Sequence, residues 1–518
     1  MTPANACMHW VRNMCPPILA HRHNAKSEPI SKLPTDRATS HQLTLQDTHM
    51  PMPQERKLMI AVFMTVLFGF AGFSLPYPVF GPMFLKPELG FLDPSIPAEY
   101  RPFLLGIAIA LYPVGQFIGA PWLGRWSDRI GRRPVLLGSL AGAAGGYLVT
   151  ALGVAIASLP LLLAGRFVSG LCEGNMAIAQ SITSDISTPE TKVRNFGLIT
   201  VAINIGWIIG PLLGGFLSDP AIYDGFNVSW PFFFAAGMFG FNLLVVFFTL
   251  RIPGYASRRG KAAASSPGND ARETASGQVA LDEVTLDEVT LGEAARAVEL
   301  SATAETAPED THDLPVRTVW QTVRDKTLLP GFVISFFSYV AVYIFFAFFG
   351  VYLVQNHDVS SSFLGMCSAI ISIPLIAAGL LVEPVRKRIG LAGVSTVAHL
   401  FLGVGIITFL LPDGLVWIFV PMCLAAFGIA WCEVTTSLFI SDAAGAHEQG
   451  QALGIYRSVH VMAEAVAVLV GGLLSGQSPQ SPFFMGFVAA MICVAGIMAW
   501  KRAMPDLGKR AGSTGAAH

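Results

Sequence analysis

The sequence predicts an all-α membrane protein made of two six-helix bundles related by internal pseudo-symmetry. Three observations lead there. Twelve apolar runs fall into two groups of six, each run near the roughly 20 residues that a helix needs to cross a bilayer. Lys and Arg concentrate in alternate loops, as the positive-inside bias requires of a chain threaded back and forth. Short motifs recur between the two groups at a constant offset, the mark of a duplicated architecture. Composition agrees: of 518 residues, 53% are hydrophobic and 13% charged, with 51 Gly and a mean hydropathy of +0.56, far from a soluble globular profile. A formal net charge of −1 gives nucleic acid no footing, so no such partner is expected.

Residues 1–55 are polar and lack helical periodicity, reading as a disordered cytoplasmic tail. Cys7, Cys15, His21 and His23 there do not have metal-site spacing, so neither a metal nor a cofactor is expected. The chain does not open with a charged start, apolar core and small-residue cleavage site, so no cleavable signal peptide is expected. Residues 56–250 hold the first six spans, among them about Leu58 to Phe80, Leu161 to Ile182 and Phe196 to Leu217. Residues 251–328 form a cytoplasmic linker with the acidic repeat LDEVTLDEVTLGE, a mobile tether for which a regulatory role stays open. Near its end Val316, Val319, Trp320 and Val323 recur at helical spacing between Arg317, Arg324 and Lys326, predicting a helix on the inner membrane surface. Residues 329–502 hold the second six spans, and 503–518 a second tail.

Orientation follows from the basic residues. Arg56 and Lys57 precede the first span, Lys192 and Arg194 follow the fourth, Arg386, Lys387 and Arg388 the eighth, and Lys501 and Arg502 the last. The opposite loops hold almost none, Lys86 and Arg101 being the exceptions. Both termini are thus expected in the cytoplasm, with the chain crossing the cell membrane many times.

The halves repeat each other. Gly214-Gly215-Phe216-Leu217-Ser218 returns as Gly471-Gly472-Leu473-Leu474-Ser475, and Phe196-Gly197 as Leu453-Gly454, at an offset of about 257 positions. Cys172-Glu173 has a counterpart in Cys432-Glu433, and Ser184-Asp185 in Ser441-Asp442. Like halves around a midplane site are the design of transporters that rock between two openings.

A charged side chain inside a bilayer is costly unless it faces water or a partner, so each is a candidate site. Six such residues stand out: Arg166 and Glu173 in span four, Glu433 in span ten, and Arg457, His460 and Glu464 along one face of span eleven. Glu173 and Glu433 are the preferred proton carriers, because a carboxyl group in apolar surroundings holds its proton more readily than in water. Arg166 would favour proton release. Static pairing, of His460 with Glu464 above all, is the alternative. Tyr112, Gln116, Asn204, Trp207, Tyr339, Tyr343 and Trp431 are candidates to line a substrate cavity, or simply to pack.

Between spans two and three stands Gly124-x-x-x-Asp128-Arg129-x-Gly131-Arg132-Arg133. It resembles the corresponding loop of the major facilitator superfamily, where such residues latch the two bundles shut on the cytoplasmic side; a weakened copy, Glu383 to Gly390, follows span eight. Arg166-x-x-x-Gly170 is similar to that family's buried arginine motif. Gly206-x-x-x-Gly210-Pro211-x-x-Gly214-Gly215 is similar to the signature of its antiporter branch, which exports drugs and metabolites against protons. Physically, the glycines allow close helix packing and Pro211 bends the span. The span-one stretch Gly72 to Val79 resembles drug exporters of the tetracycline type. The acid those place near its start has no equivalent, Gly69 standing there, which counts against a metal-chelated tetracycline.

The resemblance implies the major facilitator fold and a monomer that handles a small organic molecule and protons within the lipid bilayer. Without a Walker loop, zinc spacing or serine elbow, neither an enzyme nor an ATP-driven pump is expected. The leading expectation is proton-coupled efflux of a drug, hence multidrug resistance, or of a metabolite such as a siderophore. A nutrient symporter or facilitator and a non-transporting sensor remain open.

Overall fold

The structure is a computed structural model that describes residues 52–249, 319–411, 414–444 and 449–503. The Cys7, Cys15, His21 and His23 group, the acidic repeat, Val316 and Arg317 lie outside the described residues. The described regular elements are all helical, and ten helices are long and apolar enough to cross a membrane. Two details turn ten into the expected twelve. The 48-residue run Ser361–Thr408 holds two helices that meet at Gly390. Span four is split into Leu159–Leu171 and Asn175–Ile186, each too short to be counted alone.

Span one is Met52–Ser74 continued by Tyr77–Leu85, interrupted where Pro76 and Pro78 each withhold a backbone donor. Spans two and three are Arg101–Ile130 and Arg132–Ala155; spans five and six are Pro189–Ser218 and Trp230–Thr249. In the second half, span seven is Leu329–His357, span ten Phe419–Ala443, span eleven Gln449–Gln477 and span twelve Ser481–Ala503. Aromatic rings fill both interiors: Phe80, Phe232 and Phe239 in the first bundle, Phe345, Phe409 and Phe483 in the second, all fully buried. Ahead of span seven, the helix Val319–Val323 exposes Val319 and Trp320, with the Arg324 guanidinium 4.4 Å from the centre of the Trp320 ring.

The duplication is visible in the backbone. Gly131, between spans two and three, has φ 97° and ψ 155°; Gly390, between spans eight and nine, has φ 75° and ψ 168°. Both lie in a region that side chains disfavour, so the glycine is what lets each loop reverse there. The ion contacts of the two loops differ: Arg132 pairs with Asp185 at 2.6 Å, whereas Arg386 pairs with Glu383 of its own loop at 2.7 Å.

The bundles meet at the end away from the arginine-rich loops. There span two touches span eleven, and span five touches span eight, through paired small residues. A Cβ added to Gly106 would lie 2.8 Å from the Val468 carbonyl oxygen, and one on Gly215 2.4 Å from that of Ser361. The span-five motif thus has two faces. Gly206, Gly210 and Gly214 lie against span one near Phe70, Ala71 and Leu75, while Pro211 and Gly215 lie against Gly365 and Ser361 of the other bundle. Two polar contacts cross the same end. Lys86 Nζ lies 2.5 Å from Asp358 Oδ1 and 3.2 Å from the Asp358 carbonyl oxygen, at the close of span seven. The Ser362 hydroxyl donates to Asp219. Burial works against the ionised form of Asp219, but the Ser362 hydroxyl and the Ala221 N–H outweigh it and hold its carboxyl below the usual range.

The packing at Gly215 predicts a contrast. Gly215→Ala forces a methyl into backbone and should cost about 1–3 kcal/mol, seen as a lower melting temperature of the purified chain. Gly237→Ala, at a site with nothing within 4 Å, should leave that temperature unchanged.

Candidate functional site

A cavity of about 850 Å³ lies between the bundles. Its lining extends to Gln116, Ala120 and Pro121 of span two, towards the end that carries the arginine-rich loops. At that end the described ion pairs stay within one bundle. Arg132 holds Asp185 and, at 3.7 Å, Asp128; Arg133 donates to the Phe247 carbonyl oxygen. Gly124 has open space around it, and Arg129 is exposed.

The first bundle contributes an acid at a helix break. Leu159–Leu171 ends, Cys172 and Gly174 take cap positions, and Glu173 between them turns into the cavity with 6% of its surface exposed. Its carboxyl faces Tyr112 and Asn175 and lies in the field of Arg166. Arg166 is fully buried, its guanidinium 4.6 Å from the centre of the Tyr112 ring and 5.7 Å from that of Phe80. One guanidinium nitrogen, Glu173 Oε2, the Tyr112 and Tyr147 hydroxyls and the Asn175 amide nitrogen are buried without a hydrogen-bond partner. Buried polar atoms are ordinarily hydrogen-bonded, so their concentration here makes this region a candidate site. Gly69 is part of it: a Cβ there would come within 2.8 Å of Glu173 Oε1. The carboxyl group of span four therefore occupies the space beside Gly69 of span one.

The second bundle contributes a chain of hydrogen-bonded side chains. Arg457 Nη1 lies 3.2 Å from His460 Nδ1, and His460 Nε2 2.8 Å from the Tyr343 hydroxyl. A guanidinium can only donate, so Nδ1 accepts and the imidazole is neutral with its hydrogen on Nε2. Nε2 then donates to Tyr343, leaving the Tyr343 hydrogen for Glu464, its neighbour in the cavity. From the first bundle, Tyr77 also donates to Glu464 Oε1, at 3.5 Å. The His460 ring stacks on Tyr339 at 3.6 Å, and the Tyr339 hydroxyl bonds that of Tyr456 at 2.6 Å. Glu433 and Arg457 are exposed to the cavity. No ion pair within 4.0 Å reaches Glu173, Glu433 or Glu464 among the described residues.

Of the residues singled out in the sequence, Glu173, Glu433, Arg457, His460 and Glu464 all line the cavity, and Arg166 stands directly behind it. Tyr112, Gln116, Asn204, Trp207, Tyr339 and Tyr343 line it too. Trp431 does not. It is buried inside the second bundle, where its Nε1 donates to the Ala378 carbonyl oxygen at 2.7 Å and its ring stacks on Phe401. The reason is helical phase: two residues turn a helix by roughly 200°, so a span that points Glu433 into the cavity points Trp431 away. The alternative of a direct His460–Glu464 pair is not what the structure holds: Tyr343 stands between the two. Phe73, Tyr77 and Phe346 line the cavity unforeseen; for Tyr77 the proline-flanked break in span one was the available signal.

The family model described as Major Facilitator Superfamily matches residues 62–467 and 331–517. Class B tetracycline resistance protein of Escherichia coli is 37% identical over 171 residues, 32% of this chain and 40% of that protein. Major facilitator superfamily domain-containing protein 10 of Bos taurus is 32% identical over 187 residues, again 32% of this chain and 40% of the relative. The aligned stretch thus spans well under half the length of these curated relatives. Among solved structures, the human organic anion transporter MFSD10 aligns with a TM-score of 0.54 at 20% identity, covering 86% of this chain and 99% of that one. A D-xylose-proton symporter aligns with 0.59 at 16% identity, covering 85% and 96%; at such identities the likeness speaks for the fold.

The placement of the two tryptophans sets up a test. Trp431→Phe removes a buried hydrogen bond and should cost about 1 kcal/mol, lowering the melting temperature. Trp207→Phe, on the cavity wall, should leave it close to that of the parent.

Proposed function

The chain belongs to the Major Facilitator Superfamily, and from that premise we propose that it exports a small organic molecule in exchange for protons by alternating access. It is a multi-pass membrane transporter and not an enzyme. The observation that carries the proton-coupled reading is the inter-bundle cavity with three carboxyl groups, none held in an ion pair among the described residues. Carboxyl groups in such surroundings are neutralised by protons that arrive and leave as access changes. Glu173 and Glu433 are the carriers, with Glu464 as a third. Arg166 and Arg457 drive release by favouring the ionised forms, and His460 connects Arg457 to Tyr343.

The conformation fits an inward-open transporter. The glycine pairs and the Lys86–Asp358 contact close one end, while Asp128, Arg129, Arg132 and Arg133 stand undocked at the other, the cytoplasmic side by the positive-inside bias. On closure that loop would engage helix ends of the second bundle, with Gly124 and Gly131 allowing the approach. The span-five glycines and Pro211, set between span one and the opposite bundle, favour export over uptake, as does the partial likeness to tetracycline resistance proteins. We place the chain in the cell membrane as a monomer with cytoplasmic termini.

Inside-out vesicles with an imposed proton gradient test the reading with a panel of fluorescent drugs. Accumulation of at least one is expected, and Glu433→Gln or Glu173→Gln should reduce it about tenfold or more, a barrier change of about 1.4 kcal/mol. Accumulation without a proton gradient, or unchanged in both variants, would contradict proton coupling at these residues.

A further inference from the structure

Span two ends on a face that the transport cavity does not use. Trp122, Arg125, Trp126 and Arg129 fall at i, i+3, i+4 and i+7, so one side of the helix carries all four. Both tryptophans are 54% exposed, and both arginines and Ile118 are exposed as well. Gln116, Phe117 and Ala120, on the opposite side, line the cavity. Each residue turns the helix by about 100°, so Asp128 points off this face, where it meets Arg132 at 3.7 Å. Among the described residues no ion pair within 4.0 Å reaches Arg125 or Arg129; the Arg125 Nε donates to the Pro121 carbonyl oxygen of its own helix, 3.3 Å away. Two like charges one helical turn apart repel, and an anion lying between them removes that cost.

The second bundle shows that the fold does not require such a face. With Gly390 set on Gly131, the counterparts of Trp122, Arg125 and Trp126 in span eight are Leu381, Pro384 and Val385, and the nearby Arg386 is taken by Glu383 at 2.7 Å. The depth of the face fits lipid. By the positive-inside bias it stands at the cytoplasmic surface, so Ile118 meets acyl chains, the two indole rings meet the interface that tryptophan prefers, and the two guanidinium groups meet the phosphate layer. A guanidinium fork matches the oxygens of a phosphate. We propose that this face binds an anionic phospholipid of the inner leaflet, its phosphate held between Arg125 and Arg129 and its glycerol and upper acyl chains lying on Trp122, Trp126 and Ile118. A zwitterionic lipid brings its own cation with the phosphate and leaves the two arginines uncompensated, so it binds less tightly.

The test uses the full chain reconstituted in phosphatidylcholine vesicles, with a minor fraction of the lipid carrying bromine on its acyl chains as either phosphatidylglycerol or phosphatidylcholine. Bromine quenches a tryptophan only at close range, so quenching reports occupancy of the face. In the parent chain, brominated phosphatidylglycerol should associate at least about fivefold more strongly than brominated phosphatidylcholine, and the preference should shrink as salt is raised. Arg125→Gln should remove most of the preference, while Arg125→Lys, which keeps the charge, should retain it. Replacing both Trp122 and Trp126 by Phe should remove the quenching that phosphatidylglycerol adds. Trp320→Phe, at an exposed ring that Arg324 already covers, should leave it. Equal quenching by the two lipids in the parent chain would overturn the proposal, reducing the face to a general aromatic anchor. So would a preference that persists unchanged in Arg125→Gln. Loss of the preference when soluble glycerol phosphate is added would also overturn it, by making a free phosphate the occupant. The comparison of lipids in the parent chain stands even if the variants fold poorly.

Discussion

Hydrocarbon cannot solvate a charge, and the placement of every ionisable group inside these helices follows from that constraint. Arg166 is covered by the Tyr112 and Phe80 rings; Arg457 and Glu433 face the cavity; Glu464 sits between two phenols from opposite bundles. The buried cluster around Glu173 keeps several polar atoms unpartnered. An apolar pair of bundles would fold at lower cost, so the proposal of a working role for these groups rests on their expense.

The contact between the bundles is built from small residues and a few polar links. Close approaches at Gly106, Gly215 and Gly365 gain dispersion over a short seam without interlocking large side chains. The Lys86–Asp358 pair sits where span seven ends, so its ammonium also meets that helix's terminal carbonyl. Such contacts close one end while each bundle keeps its own packed interior. The central link is Tyr77 with Glu464, which makes one titratable group a neighbour of both bundles.

Much of this was legible in the sequence. Span count, the duplicated halves and the loop glycines follow from hydropathy and from repeats at fixed offsets, and the same backbone turn at Gly131 and Gly390 bears out the weakened second motif. The cavity acids were legible because a charge in an apolar run has few explanations. What could not be read depends on helix phase and on distant partners. Trp431 was placed in the cavity although it lies two residues from Glu433, on the opposite face of the same helix. The breaks after Ser74 and at Glu173 depend on how neighbouring helices satisfy freed backbone groups. Tyr77 and Glu464 are 387 positions apart, so periodicity in one helix says nothing of their meeting.

Proton-coupled exchange, as proposed, requires that protonation of the cavity carboxyl groups bias which end of the molecule is open. Spin labels at Lys192 and Lys387, exposed positions on opposite bundles at the arginine-rich end, measure that opening directly by pulsed electron resonance. Acidification should change the distance between them in the parent chain and leave it fixed when Glu173, Glu433 and Glu464 are all replaced by Gln. An equal response to pH in that triple variant would contradict the account.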